Sequence, residues 1–560
     1  MRHLAALLAA GAIALPAQSP SSDVAVGVFP FLVGNMDGRV AEIVTNCQSH
    51  GIDTVYVSAF RTTGPLTGDL WITDRAGTWN PAWGAVRSTG AGIDLQALCV
   101  ACRAADIRVV PVLKCFADTV QPDDLAHRQY LLDVIDYFVQ AFQANGEPVY
   151  DIDGIALDYV RYVGGTNVNV ANVTNFVADV RQHLGGLSLH AYLIANRYTF
   201  DGPTYNGQFA SYTAVLNSLA SQFGQNWDQL AQYVDVLMPM AYTANGSIYA
   251  TAALHQAYVQ QTALYARTAC QNANHPERRV CPAIKTYTGD GETTTTSTID
   301  ASITGALLGG GDGYQAFRYQ FLVNTPSWWG PMATHAVAGC NWPTPRFATA
   351  SARLTTTLDA GASTDRDQPG ATLQARVDFD GDGVFDTAFG PNTPAVGLAR
   401  HPGTWRPVVQ VRDNDGHVGT TRRRFTTPAA VTVAPGLVSA LTGGTIAIDF
   451  DVGPAGGGAV YLALATLSGT SPGFVWQPGF PVPLNVDFLT ASIAGNPNGG
   501  LMASGLGVFD AAGHAQAILT VPPGVIGPFA WQVVHWNFLA MDLAGQPACV
   551  GNSAPLILTP

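Results

Sequence analysis

One stretch in the first third of the chain combines apolar and ionisable residues in a way that suits chemistry: Tyr150-Asp151-Ile152-Asp153-Gly154-Ile155-Ala156-Leu157-Asp158-Tyr159-Val160-Arg161-Tyr162. Asp158 interrupts an apolar run at its end. Burial there raises a carboxyl pKa and a neighbouring Arg161 lowers it, so Asp158 is a candidate proton donor or nucleophile. The alternative is an Asp158–Arg161 pair that only fixes the loop. Asp153, nearer the start of the run, reads as structural. The chain has only two Lys, Lys114 and Lys285, and each closes another apolar run. A compact ammonium at such a place can donate to hydroxyl groups or hold a carboxylate ionised. Arg61, Asn196 beside Arg197, Tyr242 and Tyr287 end similar runs and, with Arg161, are candidate substrate-binding residues.

Acid/base chemistry at Asp158 is served by a second carboxylate nearby. The four Glu narrow the choice of a partner for Asp158. Glu42 falls on the first helix, and Glu147 and Glu277 precede strands. Glu292, with Asp290 beside it, follows a strand end and is the candidate partner; a solvated loop charge is the plainer reading. Asp69, Asp74, Asp118 and Asp201 are further acids on that side. Flat apolar faces against which a ligand could stack come from Trp71, Trp79 and Trp83, and from Trp328 and Trp329.

These residues need a scaffold that brings strand ends together. From 24 to 345 the chain alternates apolar, β-branched runs with segments of helical period. The runs are 24–33, 54–60, 108–116, 152–162, 187–195, 234–242, 280–287 and 314–322. Eight such units predict a (β/α)8 TIM barrel, whose active residues lie at the C-terminal ends of the strands. No G-x-G-x-x-G follows the first run, which argues against a doubly wound nucleotide-binding sheet. Residues 346–430 lose the helical period and show short strands with Asp-Gly turns. Residues 431–560 contain no Lys, Arg or Glu. Both segments read as β-sandwich modules.

Composition limits the function. A chain of 560 residues has room for several domains. With 12% charged residues and a net charge of −13, it lacks the basic clusters that bind nucleic acid. Residues 1–18 read as a secretory signal peptide, too short to span a bilayer, and no later apolar run is long enough. A secreted or extracytoplasmic protein is expected, with cell-surface association through the C-terminal modules. The eight Cys suit such a compartment, and Cys270–Cys281, flanking one polar loop, is the expected disulfide. Cys99 and Cys102 lie in a helical stretch and read as structural.

Asp153-Gly154-Ile155, with Asp158-Tyr159-x-Arg161-Tyr162, resembles the strand-four motif of uncharacterised glycosyl-hydrolase-like barrel families, the family 10-like group among them. The helix at 94–105 with 107–111, and Val236-Leu237-Met238-Pro239-Met240-Ala241-Tyr242, resemble their third and sixth units. The resemblance implies a glycoside hydrolase acting on a polysaccharide or glycan, with Asp158 as a catalytic carboxylate and no required cofactor. A comparison with family 18 chitinases fails: Ala156 replaces their middle Asp and Val160 their catalytic Glu. A catalytically inactive carbohydrate-binding or adhesive protein is the alternative.

In the tail, 358–365, Asp378-Phe379-Asp380-Gly381-Asp382-Gly383, 402–405 and 411–416 resemble a PKD (polycystic kidney disease) domain, an immunoglobulin-like sandwich. Asp378, Asp380, Asp382 and Asp386 have the spacing of a calcium loop. Phe389 stands where an EF-hand needs Glu, so a weak structural calcium site or a tight turn is expected there.

Overall fold

The computed structural model describes residues 23–560 except 31–35, 37, 75–84, 117–119, 164–166, 185, 196–207, 243–250, 290–293, 337–341, 366–367, 382 and 478–479. The expected signal peptide lies outside the described residues. The chain divides into two compact units. The first is Met1–Pro345 with Ser363–Gln374 and Gln410–Thr421; the second is Arg346–Ala362 with Ala375–Val409 and Arg422–Pro560.

The first unit contains a closed barrel of eight parallel strands: β1 (Asp23–Val28), β2 (Thr54–Gly64), β3 (Arg108–Lys114), β4 (Gly154–Asp158), β5 (Ser188–Leu193), β6 (Val236–Ala241), β7 (Ala283–Lys285) and β8 (Gly313–Phe317). Each pairs with its neighbour in sequence, and β1 pairs with both β2 and β8, which closes the ring. The interleaved helices are α1 (Val40–Ser49), α2 (Leu95–Ala104), α3 (Leu125–Val139), α4 (Val170–Leu184), α5 (Tyr212–Phe223), α6 (Ala252–Asn272), α7 (Thr296–Leu308) and α8 (Tyr319–Asn324). Side-chain caps start several of them, since the first amides of a helix have no partner within it. Asp94 accepts from Ala97 N–H, Asp124 from His127, Ser211 from Ala214 and Thr251 from Leu254.

The barrel interior is packed and polar in places. Tyr56 Oη lies 2.7 Å from His190 Nδ1, reaching from β2 to β5 through the interior, and Ser188 Oγ lies 2.7 Å from His190 Nε2. Gly154 is required by close approach: a Cβ there would stand 2.3 Å from Ser188 Oγ and 2.4 Å from its carbonyl oxygen. The glycine of the strand-four motif therefore serves packing of β4 on β5. At the N-terminal end of the barrel, Trp342 takes the Arg108 guanidinium at 3.4 Å and that of Arg279 at 4.3 Å from its ring centroid. The His417 ring, held by Asp413 at 2.6 Å, lies 5.2 Å from Trp342.

The structure corrects several expectations. Beyond the barrel rim β2 turns at Leu66 (φ 51°), so Thr67–Ile72 pairs antiparallel with it and Ala85–Ile93 lies parallel to Thr67–Ile72. That stretch reads as loop in sequence. The eighth strand stops at Phe317, and Tyr319 and Leu322 are buried on one side of α8. A short apolar run does not distinguish strand from buried helix. Trp328 and Trp329 pack in the core; Trp329 stacks on His50, at the end of α1, with centroids 4.6 Å apart. The Cys270 thiol is free, so the expected Cys270–Cys281 disulfide is not formed. Burial pushes the Cys270 thiol up to about 11, so it behaves as a small apolar residue.

The second unit is built of short, mostly antiparallel strands. In its last part β9 (Gly444–Asp451) pairs with β11 (His514–Val521), and β12 (Val533–Met541) lies between β10 (Val460–Thr466) and β13 (Ala554–Thr559). These form two separate sheets. Phe450, Tyr461, Trp536 and Phe538 are buried in the core of this module, and a helix, α9 (Phe488–Gly495), follows β10.

Candidate active site

Arg61, Lys114 and Asp158 are partnered positions on three adjacent parallel strands. In-register residues of parallel strands project to the same face. On β4, Asp158 shares a face with Ala156, two residues before it and the partner of His190, whose ring lies inside the barrel. The row therefore points into the mouth at the C-terminal ends of the strands, where barrel enzymes hold their reacting groups. All three side chains are half-buried. The Nε of Arg61 is buried with no hydrogen-bond partner among the described residues.

Asp158 accepts one hydrogen bond, from Tyr159 N–H at 2.8 Å. Burial pushes its carboxyl above the usual range, against the pull of Arg161, of that N–H and of Lys114. Desolvation wins over two cations, which favours a carboxyl that keeps its proton longer than a free one. No ion pair closes between Asp158 and Arg161, so the loop-fixing pair is not formed. Arg161 instead lies over the ring of Tyr159 at 4.2 Å, and the Lys114 ammonium lies 4.1 Å from the same centroid. Tyr159 sits at φ 55°, a left-handed conformation costly for a non-glycine residue. With that backbone turn its ring lies against both cations and its N–H on Asp158.

An aromatic group extends the site. Tyr242, after β6, stacks on Phe317, at the end of β8, with centroids 4.4 Å apart and planes 8° apart. Tyr287 meets both edge-on, and Phe29 meets Phe317 at 4.8 Å. Tyr192 on β5 is buried, with no hydrogen-bond partner for its hydroxyl among the described residues. Burial, then Tyr56, then Asp158 push that phenol well up, while burial and then Asp158 do the same for Tyr242. Tyr192 and Phe317 lie inside the apolar runs 187–195 and 314–322 rather than at their ends, so position along a run does not single them out. The inward alternation with His190 on β5 is the signal that would have found Tyr192.

The remaining candidates divide. Lys285 is 2% exposed; it donates to the Gly289 carbonyl at 2.7 Å and lies 4.6 Å from the Tyr287 centroid, so it ties down the loop after β7. Trp71 is half-buried in Thr67–Ile72. Asp69 stands opposite Arg61 across the hairpin and is buried. Asp74 accepts from Leu95 N–H and Gln96 N–H, which makes it a cap of α2. Asp153 accepts from Val109 N–H and meets Arg103 at 3.2 Å, the structural role expected of it. Val160, in the place of the chitinase acid, is fully buried. Trp79, Asn196, Asp290 and Glu292 lie outside the described residues, as do Trp83, Asp118, Arg197 and Asp201.

In the second unit Asp378, Asp380 and Asp386 each bring a carboxylate oxygen within 4.8 Å of the others; Asp382 lies outside the described residues. Asp378 accepts from Gly381 N–H and Gly383 N–H, and Asp386 from Phe379 N–H. Asp380 pairs with Arg400 at 2.7 Å. Burial, outweighing those N–H bonds, and the Asp380 charge push the Asp378 carboxyl to about 6. The chain's own donors already meet these carboxylates, so a calcium ion would compete with Arg400.

No protein-family description and no curated protein matches the sequence. Among solved structures, the chain resembles the glycoside hydrolase domain of PgaB (BpsB) from Bordetella bronchiseptica at 10% identity and a TM-score of 0.40, over 57% of this chain and 100% of that one. The endo-beta-1,4-mannanase of Thermotoga petrophila matches at 11% identity and 0.38, over 73% and 98%. The PKD1 domain of Vibrio anguillarum Epp matches 16% of this chain and 94% of its own, at 18% identity and 0.13. At these identities and scores the likenesses carry no argument about activity. No helix among the described residues is long and apolar enough to cross a membrane.

Proposed function

We propose that the barrel hydrolyses glycosidic bonds in an extracytoplasmic polysaccharide, with Asp158 as proton donor. The observation that carries this reading is the raised carboxyl of Asp158 at the strand ends, beside Lys114 and Arg161. A carboxyl whose pKa is raised holds its proton more tightly and can donate it to the departing glycosidic oxygen, then take a proton from water in the return step. Lys114, Arg161 and Arg61 offer donors to sugar hydroxyls, and the aromatic group around Tyr242 offers an apolar face. Asp290 or Glu292, in the loop that Lys285 ties down, is the partner carboxylate in this reading. The tail modules act as spacers or surface attachments.

The test is release of reducing ends from a panel of polysaccharides by the full chain and by Asp158→Asn. Release by the parent and none by the variant supports the proposal. The second reading, a barrel that binds glycans without cleaving them, is favoured by the use of Asp74 as a helix cap and the burial of Asp69 opposite Arg61. Retention on a polysaccharide column without release of reducing ends would establish it.

A further inference from the structure

The last β-module contains a cavity of about 420 Å³ that the barrel chemistry does not use. Its walls are the inner faces of two sheets: Leu519 and Val521 from β11, Trp536 from β12, and Leu556 and Leu558 from β13. Among its lining residues, Phe488 of α9 and Val525 are 61% and 51% exposed. The Phe488 ring stacks on that of Phe529. A β-sandwich interior is normally filled by its own side chains to crystal-like density, so an open apolar space of this size invites a ligand.

We infer that this cavity takes the hydrocarbon chain of a single-chain amphiphile with an uncharged polar head. Three observations select that occupant. An apolar cavity of about 150 Å³ accommodates benzene, so this one suits a chain of about ten to sixteen carbons. The polar residues lining it, Ser492 and Asn496 of the α9 region, are neutral. No Lys, Arg or Glu occurs anywhere in 431–560, and five Asp leave the module anionic. One of those, Asp487, precedes Phe488. Burial pushes its carboxyl up, but the amides of Thr490 and Leu467 and nearby hydroxyls pull it well below the usual range, so it stays charged. A carboxylate or phosphate head would find no cation among the lining residues of this anionic module, whereas a glycerol head needs none.

The experiment follows displacement of the fluorescent probe N-phenyl-1-naphthylamine from the full chain by 1-monomyristoylglycerol and by myristate. Saturable displacement by the monoglyceride at one site per chain is expected, with myristate at least tenfold weaker. Ser492→Trp, on the exposed side of α9, should weaken monoglyceride binding at least tenfold while leaving the melting temperature unchanged. Leu519→Trp, which fills the space from within, should do the same in whatever fraction folds. Absence of saturable displacement overturns the inference, as does binding that neither variant weakens. Myristate binding as tightly as the monoglyceride overturns the uncharged head. A dimer that Ser492→Trp dissociates, with no amphiphile bound, would make the cleft a self-association face instead.

Discussion

Lys114 and Asp158 are register partners at the ends of adjacent parallel strands, and the Lys114 ammonium lies over the ring of the residue that follows Asp158. The lysine thus acts on the carboxyl through space and is held in place by Tyr159. Removing any member of this trio should therefore change the other two in a defined direction.

Asp158→Asn should abolish hydrolysis, lowering kcat by at least about 10²-fold, the scale of a lost general acid. It should also stabilise the protein at neutral pH. Folding raises the Asp158 pKa, so this group's contribution is full below its unfolded pKa near 4 and is lost as pH rises through its folded value. The Asn side chain does not ionise. Thermal melts should show the variant above the parent at pH 7 and level with it at about pH 4. A variant that melts lower at pH 7 would mean that the ionised carboxylate holds the loop.

Lys114→Met should weaken activity by about 1–3 kcal/mol, the scale of a lost charged hydrogen bond. Its pH profile carries more information. A general acid works only when protonated, so activity falls as pH rises through the Asp158 pKa. Lys114 lowers that pKa, so its loss should move the alkaline limb to higher pH. A limb moving downward would exclude Asp158 as the acid.

Tyr159→Leu removes the ring that both cations lie over. Two cation–π contacts at a half-buried site suggest a loss of about 1–2 kcal/mol in unfolding free energy, readable by urea denaturation. Adding Lys114→Met to this variant should then cost less than it does in the parent, since the ammonium is no longer positioned.

Trp342→Ala should lower stability by about 3–5 kcal/mol, as expected for a buried Trp, and leave the pH profile of activity unchanged. The same end of the barrel bears on truncation. Thr344 and Thr364 exchange backbone hydrogen bonds, both hydroxyls donate to Asp106, and Gln410 Nε2 donates to the Gly186 carbonyl. A chain ending at Pro345 loses the later partners and should melt below the full-length protein in calorimetry.

Apolar runs alternating with helical periods are local patterns, because each barrel strand is buried on both faces, and they sufficed for the eight-stranded barrel. Asp158 stood out for the same reason: a carboxylate in an apolar run shows up within a few residues. What needed the tertiary structure is pairing across the chain. The row of Arg61, Lys114 and Asp158 joins residues far apart in sequence, and only strand register decides that they share one level of the barrel. The cation-flanked Tyr159 depends on a left-handed backbone angle that no propensity favours for tyrosine. Trp329 looked available for a sugar face and is instead packed on His50. An apolar side chain has the same identity in a core and in a cleft, and only the packing around it decides which role it has.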